Sequence, residues 1–335
     1  MILVTGGAGY IGSHTAVVLL EQGYEIVVVD NLSNSHPKAI ERVKQITGKD
    51  FPFYEVDLRD ASKLAAICEK HQPTAAIHFA GLKAVGESVK MPLAYYQNNI
   101  DSTLNLLKTM IDHEIKQVIF SSSATVYSAT NTMPLTESAA RGCTNPYGWT
   151  KFVCEQIIKD TVSANAGFSA VLLRYFNPVG AHESGLIGEN PLGIPNNLVP
   201  FIAQTAAGKH KELAVYGDDY DTKDGTGVRD YIHVTDLAVG HVAAINFCAS
   251  NDGTHVFNLG TGQGTSVLEM VHAFENANGV KVPVCIAPRR AGDLATCYAD
   301  PGKAKEVLRW NAKKSIDEMC VDVWRWQSMN PNGYE

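Results

Sequence analysis

Short apolar runs alternate with longer amphipathic segments through the first half of the chain. The runs lie at 2–5, 25–29, 53–56, 75–79, 118–120 and 170–173. They are too short for helices and predict β-strands, whereas the segments at 13–21, 62–70 and 92–113 have helical length and spacing. Buried strands that alternate with helices predict a doubly wound α/β fold, in which helices cover both faces of a parallel sheet.

The regular alternation stops near Gly180, after the last predicted strand of this series. The following stretch is rich in Gly, Pro and Asn, as in 193–198. We therefore predict a nucleotide-binding Rossmann domain at 1–180 and a smaller α/β substrate domain at 181–335. Later segments, such as the predicted helix 234–247, can still pack back against the sheet, so the boundary need not be a clean cut.

A glycine-rich turn follows the first predicted strand and precedes the first helix. Gly6, Gly9 and Gly12 have the spacing of a phosphate-binding turn, although such a spacing alone also occurs by chance. The second strand ends in Asp30, where a carboxylate would accept hydrogen bonds from an adenosine ribose. Because a 2′-phosphate would be repelled there and no Arg or Lys follows before Lys38, the pattern favours NAD over NADP. The alternative is a tight turn without a ligand.

Composition and charge narrow the class of protein. The 335 residues are 45% hydrophobic and 19% charged, as in a globular protein. A net charge of −7 with few basic clusters argues against nucleic acid as a partner. The seven cysteines are scattered without a Cys-x-x-Cys pair, which predicts reduced thiols and a cytoplasmic location. We expect no metal site, leader peptide or membrane span.

Tyr147 and Lys151 are the candidate proton-transfer pair. If the segment after Pro146 is helical, they lie one turn apart on one face. The ammonium would favour the phenolate and lower the tyrosine pKa, as a base acting on an alcohol requires. Taken alone the spacing is weak, since a surface pair on a helix is the common alternative. Its context strengthens it, because Ser123 follows a neighbouring strand.

The polar and glycine positions of the first half share one edge of the predicted sheet. In parallel sheets, ligands bind beyond the carboxyl ends of the strands. The residues that fall there are Gly6, Asp30, Asp57, Gly81 and Ser123. The cofactor turn and the candidate catalytic residues are therefore expected to face each other.

Several stretches resemble the extended short-chain dehydrogenase/reductase family. The turn 5–12 matches its nucleotide-binding motif and 147–151 its catalytic pair, while 30–35, 78–88 and 121–127 are similar to its branch of UDP-hexose 4-epimerases. The resemblance implies tightly bound NAD and catalysis by Ser123, Tyr147 and Lys151. It further implies a homodimer that inverts C4 of UDP-hexoses through a 4-keto intermediate.

The resemblance also implies two sets of binding residues. The NAD set is Gly6, Gly9, Tyr10, Ile11, Gly12, Asp30, Asn31, Leu32, Ser33, Asn34, Ser35, Asp57, Leu58, Phe79, Ala80, Gly81, Leu82, Lys83, Asn98, Ser123, Tyr147, Lys151 and Phe176. The UDP-hexose set is Lys83, Ser123, Tyr147, Asn177, Asn197, Leu198, Ala214, Val215, Tyr216, Arg229, Arg290, Asp293 and Cys297. The two arginines suit a diphosphate because guanidinium pairs with phosphate in a bidentate manner, although exposed arginines are often plain surface residues.

Two positions depart from the family pattern. Trp149 lies two helical positions from Tyr147 and should point away from the site, which suggests packing in a helical homodimer interface. Cys297 stands where epimerases restricted to glucose and galactose resemble one another in having tyrosine. The smaller side chain would leave room for an N-acetyl group at C2 of the sugar, and the alternative is an ordinary buried thiol.

Three other functions share most of this pattern. A nucleotide-sugar 4,6-dehydratase uses the same Tyr and Lys but commonly has an Asp-Glu pair where this chain has Ala124 and Thr125. A net dehydrogenase would release reduced cofactor. A non-catalytic NAD-binding protein would not need Ser123, Tyr147 and Lys151 together, so it ranks last.

Overall fold

The computed structural model describes residues 1–190, 193, 195–290 and 292–335. The strands of the first half are β1 (Ile2–Thr5), β2 (Ile26–Asp30), β3 (Phe53–Glu55), β4 (Ala75–His78), β5 (Gln117–Ser123) and β6 (Ser169–Tyr175). The helices there are α1 (Tyr10–Glu21), α2 (Pro37–Thr47), α3 (Ala61–His71), α4 (Val85–Lys90), α5 (Pro92–Asp112) and α6 (Pro146–Ala164). The predicted strands and helices are present, whereas α2 and α4 are additional helices that were not predicted.

Within the part of the chain that is described, the second half adds eight strands and five helices. The strands are β7 (Asn177–Val179), β8 (Leu213–Tyr216), β9 (Val228–Arg229), β10 (Tyr231–His233), β11 (Gly253–Leu259), β12 (Thr265–Ser266), β13 (Val284–Ala287) and β14 (Thr296–Cys297). The helices are α7 (Leu198–Ala206), α8 (Val234–Cys248), α9 (Val267–Asn278), α10 (Gly302–Val307) and α11 (Ile316–Met329).

A seven-stranded parallel sheet forms the centre, with the order β11-β6-β5-β4-β1-β2-β3. The chain builds β1 to β3 outward in one direction and then returns to place β4 on the other side of β1. Neighbouring loops diverge at this switch point and leave a crevice for a ligand. The predicted doubly wound Rossmann fold is confirmed.

The seventh strand, β11, differs from the prediction, which ended the sheet at 170–173. β11 pairs in parallel with β6 at the sheet edge. Its first four residues are only partly buried and include Thr254 and His255, so the segment lacks the continuous apolar run of an inner strand. The preceding helix α8 packs Leu237 and Val242 into the same core as Val17 of α1.

Two boundaries near the site also differ from the prediction. α1 begins at Tyr10 and not at Ser13, because the helix starts directly after the glycine turn. β5 continues through Ser123, whereas the apolar pattern ends at Phe120. The serines belong to the strand because their backbones pair with β6, with Ser123 opposite Tyr175. Polar side chains therefore occupy a fully paired strand that leads into the site.

A smaller core holds most of the second half together. Buried side chains from α7, α9 and α11 meet there, including Ile202, Phe274 and Met319. β8 pairs with β13, and β9 lies between β12 and β14. The β9–β14 pairing sets Arg229 directly beside Cys297. Among the described residues, none of the helices combines the length and apolar character needed to cross a membrane.

Candidate active site

A cavity of about 1070 Å³ opens at the carboxyl ends of the central strands and extends under the second half of the chain. All of the predicted site residues except Leu32 and Val215 line it. Leu32 packs against the core beside the sheet, and its backbone N–H donates to Asp30. Val215 lies on β8 between Ala214 and Tyr216, so strand alternation turns its side chain into the smaller core.

In the glycine turn, backbone segments lie so close together that a side chain at Gly6 or Gly12 would collide with them. A Cβ on Gly6 would lie 2.6 Å from the backbone nitrogen of Ala80 at the end of β4, and Gly6 has a φ of 72°. A Cβ on Gly12 would lie 2.3 Å from the carbonyl oxygen of Gly6. Among the residues that the structure describes, no side chain caps the start of α1. Its first backbone N–H groups are therefore suited to an anionic diphosphate.

Asp30 ties the turn to the loop that follows β2. One carboxylate oxygen accepts the backbone N–H of Ala8 at 3.0 Å. The other accepts the N–H of Leu32 at 2.9 Å and the hydroxyl of Ser35 at 2.8 Å. The carboxylate also lines the cavity, where it can accept hydrogen bonds from ribose hydroxyls, so its position fits NAD.

Tyr147 and Lys151 occupy the first turns of α6. The Asn145 side chain caps this helix by accepting the N–H of Gly148 at 2.9 Å, and Pro146 occupies the first turn. Both site residues are buried, Tyr147 at 7% exposure and Lys151 at 5%. The predicted helical pair is therefore present, and it faces the cavity rather than solvent.

The Lys151 ammonium is anchored to β5. Its Nζ donates to the Ser121 carbonyl oxygen at 2.8 Å and lies 4.8 Å from the centre of the Phe120 ring. Burial lowers the pKa of Lys151 to about 8, so the group stays mainly protonated at neutral pH. One residue of the same strand holds the cation, and Ser123, two residues further on, faces the cavity.

The Tyr147 pKa differs from the prediction. Burial raises the pKa of Tyr147 to about 12, and its hydrogen bond with Ser123 opposes that rise only in part. The predicted depression by Lys151 is therefore wrong for the polypeptide itself, because desolvation of the phenolate outweighs the stabilising groups. The Ser123 hydroxyl also accepts the Thr125 hydroxyl at 3.0 Å, which fixes the serine beside the phenol.

Asn99 was not predicted, and it joins the catalytic helix to the loop after β4. Its side-chain nitrogen donates to the Thr150 hydroxyl at 2.9 Å and to the Leu82 carbonyl at 3.0 Å. Its oxygen accepts the Leu82 N–H at 2.8 Å. A buried Asn on a long helix gives no distinctive sequence signal, although its neighbour Asn98 was predicted.

The two predicted arginines approach the cavity from separate segments. Arg229 donates to the Val228 carbonyl at 2.9 Å and to the Leu294 carbonyl at 2.8 Å, and its guanidinium lies 3.5 Å from Asp293. The Arg290 guanidinium lies 3.9 Å from the centre of the Tyr216 ring. Both cations are thus oriented by groups of the protein.

Glu189 lines the cavity and was not predicted as a site residue. Its Oε1 accepts Lys83 Nζ at 2.9 Å and Asn197 Nδ2 at 2.8 Å. Lys83 follows β4 and Asn197 immediately precedes α7, so one carboxylate connects the two halves of the cavity. A single Glu in an irregular segment carries no motif, and only the fold brings it to these partners.

Comparisons with known proteins agree with this geometry. A family model described as GDP-mannose 4,6 dehydratase matches residues 3–323. UDP-glucose 4-epimerase of Bacillus subtilis is 59% identical, with 100% of this chain and 98% of that protein covered. The human UDP-glucose 4-epimerase is 53% identical, with 99% and 98% covered. The crystal structure of the Bifidobacterium longum UDP-glucose 4-epimerase in complex with NAD+ and UDP is 55% identical, with a TM-score of 0.96 and 99% of both chains covered.

A cofactor turn that faces a buried Tyr-Lys pair across one cavity defines an NAD-dependent enzyme of the extended short-chain dehydrogenase/reductase class. Within this class, the two relatives and the crystal structure compared with this chain are UDP-glucose 4-epimerases. The chain belongs to the UDP-glucose 4-epimerase family, and it is an NAD-dependent epimerase that acts at C4. The predicted epimerase is thereby confirmed in preference to the dehydratase and the dehydrogenase.

Proposed function

We propose that Ser123, Tyr147 and Lys151 carry out the C4 inversion of UDP-hexoses. The observation that carries this proposal is the burial of Tyr147 and Lys151 on one face of α6, beside Ser123 and facing the cavity. When bound, NAD supplies the chemistry of hydride acceptance from C4 and its return to the opposite face of the sugar.

The protein's own groups handle the proton of the sugar 4-hydroxyl. Tyr147 takes this proton as the 4-keto sugar forms and gives it back as the sugar is restored. Ser123 hydrogen-bonds the same oxygen and keeps it in line with the phenol. Lys151 supplies a fixed positive charge that favours the phenolate, and its hydrogen bond to Ser121 keeps that charge from moving with the substrate.

The predicted binding sets divide along the cavity. We assign the diphosphate of NAD to the turn at Gly6–Gly12, and its adenosine to Asp30 and the loop after it. Arg229 and Arg290 would hold the diphosphate of the UDP-hexose, whose binding keeps the 4-keto sugar in place while it turns.

The chain divides into a Rossmann unit at 1–180 and a substrate unit at 181–335, and α8 and β11 of the second half pack onto the first unit. The scattered cysteines support a cytoplasmic location.

The proposed reaction is tested by incubating the purified protein with UDP-galactose without added NAD. We expect UDP-glucose to form at equilibrium, because the cofactor is regenerated in each turnover and stays bound. UDP-N-acetylgalactosamine is expected to convert as well, since Cys297 is smaller than tyrosine and lines the cavity. Sugar nucleotides are separated chromatographically. Reduced cofactor that accumulates in proportion to substrate consumed would contradict the epimerase reaction.

The Cys297→Tyr variant is the matched test of sugar choice. It is expected to keep turnover of UDP-galactose and to lose at least about tenfold in kcat/KM for UDP-N-acetylgalactosamine, the size expected for a steric clash in a pocket. Equal loss on both sugars would indicate damage to the site, and no loss on either would remove Cys297 from sugar choice.

We further propose a homodimer built on α5 and α6. Leu93, Leu104 and Ile111 are exposed, and their spacing of eleven and seven residues sets them on one stripe of α5. Trp149 of the adjacent α6 is 40% exposed and contacts Phe152 edge-on. An apolar stripe of this kind on a helix pair suits a second copy of the same surface.

The dimer is tested by light scattering of the wild type and of Leu104→Lys. We expect the wild type at twice the chain mass of 36.3 kDa and the variant shifted toward the monomer. Glu69→Lys, an equivalent change to lysine on the exposed side of α3, should leave the mass unchanged. A monomeric wild type would refute the proposal.

A further inference from the structure

Glu189 offers a single carboxylate oxygen to donors from both sides of the cavity. Lys83 Nζ lies 2.9 Å from Oε1 and Asn197 Nδ2 lies 2.8 Å from the same atom. The Glu189 side chain is 10% exposed, whereas the Lys83 side chain is 48% exposed. The largely buried Glu189 carboxylate therefore restrains a lysine that would otherwise sample many rotamers in solvent.

The backbone at Glu189 is itself fixed by the C-terminal helix. The Trp326 indole N–H donates to the Glu189 carbonyl at 3.2 Å. A Cβ on Gly188 would lie 2.5 Å from the Trp326 ring, so the backbone lies directly on the indole. Arg42 stacks 5.7 Å from the same ring and donates to Asn330 at 2.7 Å. The carboxylate is thus built on a rigid support, which is what precise placement of other groups requires.

The placement of this carboxylate has an electrostatic cost for an anionic ligand. A carboxylate in a cavity that takes two diphosphates repels them unless its charge is compensated. Lys83 supplies the compensating charge, and Asn197 donates to the same Glu189 oxygen from the other side of the cavity. Arg229 also has an acidic neighbour, because Asp293 lies beside its guanidinium. Each of these donors at the cavity thus has an acidic partner that orients it.

We propose that Glu189 is a positioning residue for the UDP-hexose, which acts by holding Lys83 and Asn197 in their binding positions across the cavity. This role rests on the proposed function of the site. Glu189 does not need to touch the reacting atoms, because its effect reaches the substrate through the two donors. Its loss should therefore weaken substrate binding much more than it slows the chemical step.

The test compares Glu189→Gln with the wild type on UDP-galactose. The amide keeps the size of the side chain and removes the charge that holds Lys83. We expect KM to rise about tenfold while kcat stays within about threefold, which corresponds to the ordering of one or two side chains. The Kd for UDP-galactose, measured by titration calorimetry, should rise by the same factor as KM.

A double-mutant cycle separates positioning from general damage. Asn197→Ala should raise KM on its own. In the double variant with Glu189→Gln, KM should rise relative to the wild type by less than the product of the two single effects. Glu183→Gln, at an exposed position six residues earlier, is the control and should match the wild type. Circular dichroism and bound NAD content verify that each variant folds.

Two outcomes would overturn the proposal. Unchanged KM and Kd in Glu189→Gln would show that the two donors do not depend on the carboxylate. A fall in kcat with unchanged KM would show that Glu189 acts on the chemical step and not on substrate binding. Absence of turnover in the wild type would instead count against the proposed function, and the calorimetric comparison of the two proteins would still decide the role of Glu189.

Discussion

Replacing Tyr147 with phenylalanine is expected to lower kcat for UDP-galactose about 10²- to 10⁴-fold, the range for loss of a positioned acid-base group. The substitution removes only the hydroxyl, so the buried ring still packs on α6. Ser123 and Lys151 remain, but neither can take over the proton of the sugar hydroxyl at the position of the phenol. KM should change little, because most binding contacts lie at the nucleotide.

The matched control is Tyr54→Phe. Tyr54 lies on β3, outside the cavity, and its hydroxyl lies 2.8 Å from His71 Nε2 of α3. Loss of this hydroxyl should therefore leave kcat unchanged. Initial rates of both variants are measured at saturating UDP-galactose, with bound NAD determined for each preparation. Full turnover by Tyr147→Phe would show that proton transfer does not pass through this phenol.

The first half of the fold could be predicted because its physics is local. A strand in a parallel sheet is buried on both faces and therefore appears as a short apolar run. The glycine turn has a partly local cause, since a Cβ on Gly12 would collide with the carbonyl oxygen of Gly6 within the same turn. Ser123, Tyr147 and Lys151 follow from the same pattern, because strand ends and the start of α6 face one crevice.

The features that escaped prediction depend on contacts between distant segments. β11 is a partly exposed edge strand that pairs with β6, so its pattern is mixed. Glu189 meets Lys83 and Asn197 only when both halves have folded. The Tyr147 pKa depends on how deeply the phenol is buried, which spacing along a helix does not give. Each case combines a weak local signal with a strong tertiary environment.

Glu155 occupies the same face of α6 as the catalytic pair, one turn beyond Lys151, and is fully buried. Its Oε1 accepts the Ser122 hydroxyl at 2.6 Å and Arg174 Nε at 2.8 Å, and its Oε2 accepts Arg174 Nη2 at 2.6 Å. Burial raises the pKa of Glu155, but the hydrogen bond and charge of Arg174 outweigh it and hold that pKa below its usual value. The pair thus joins α6, β5 and β6 directly behind the site.

Glu155→Ala is therefore expected to lower the free energy of unfolding by about 3–5 kcal/mol, the cost of leaving a buried charge without its partner. Arg174 is 2% exposed and cannot reach water without breaking the packing of β6. Glu155→Met combined with Arg174→Met should cost less than Glu155→Ala alone, because no charge remains buried. Denaturant unfolding followed by circular dichroism gives the free energy of unfolding of the wild type and of both variants.

The control is Lys281→Ala, which removes the exposed lysine of the ion pair between Lys281 and Glu275. Lys281 Nζ lies 3.6 Å from Glu275 with 89% of the lysine side chain exposed, so the change should stay below about 1 kcal/mol. Stability of Glu155→Ala equal to that of this control would contradict the assigned role of the buried pair. Because Ser121 and Ser123 flank Ser122 on β5, loss of this pair should also lower kcat, through displacement of the anchor of Lys151 rather than through loss of a reacting group.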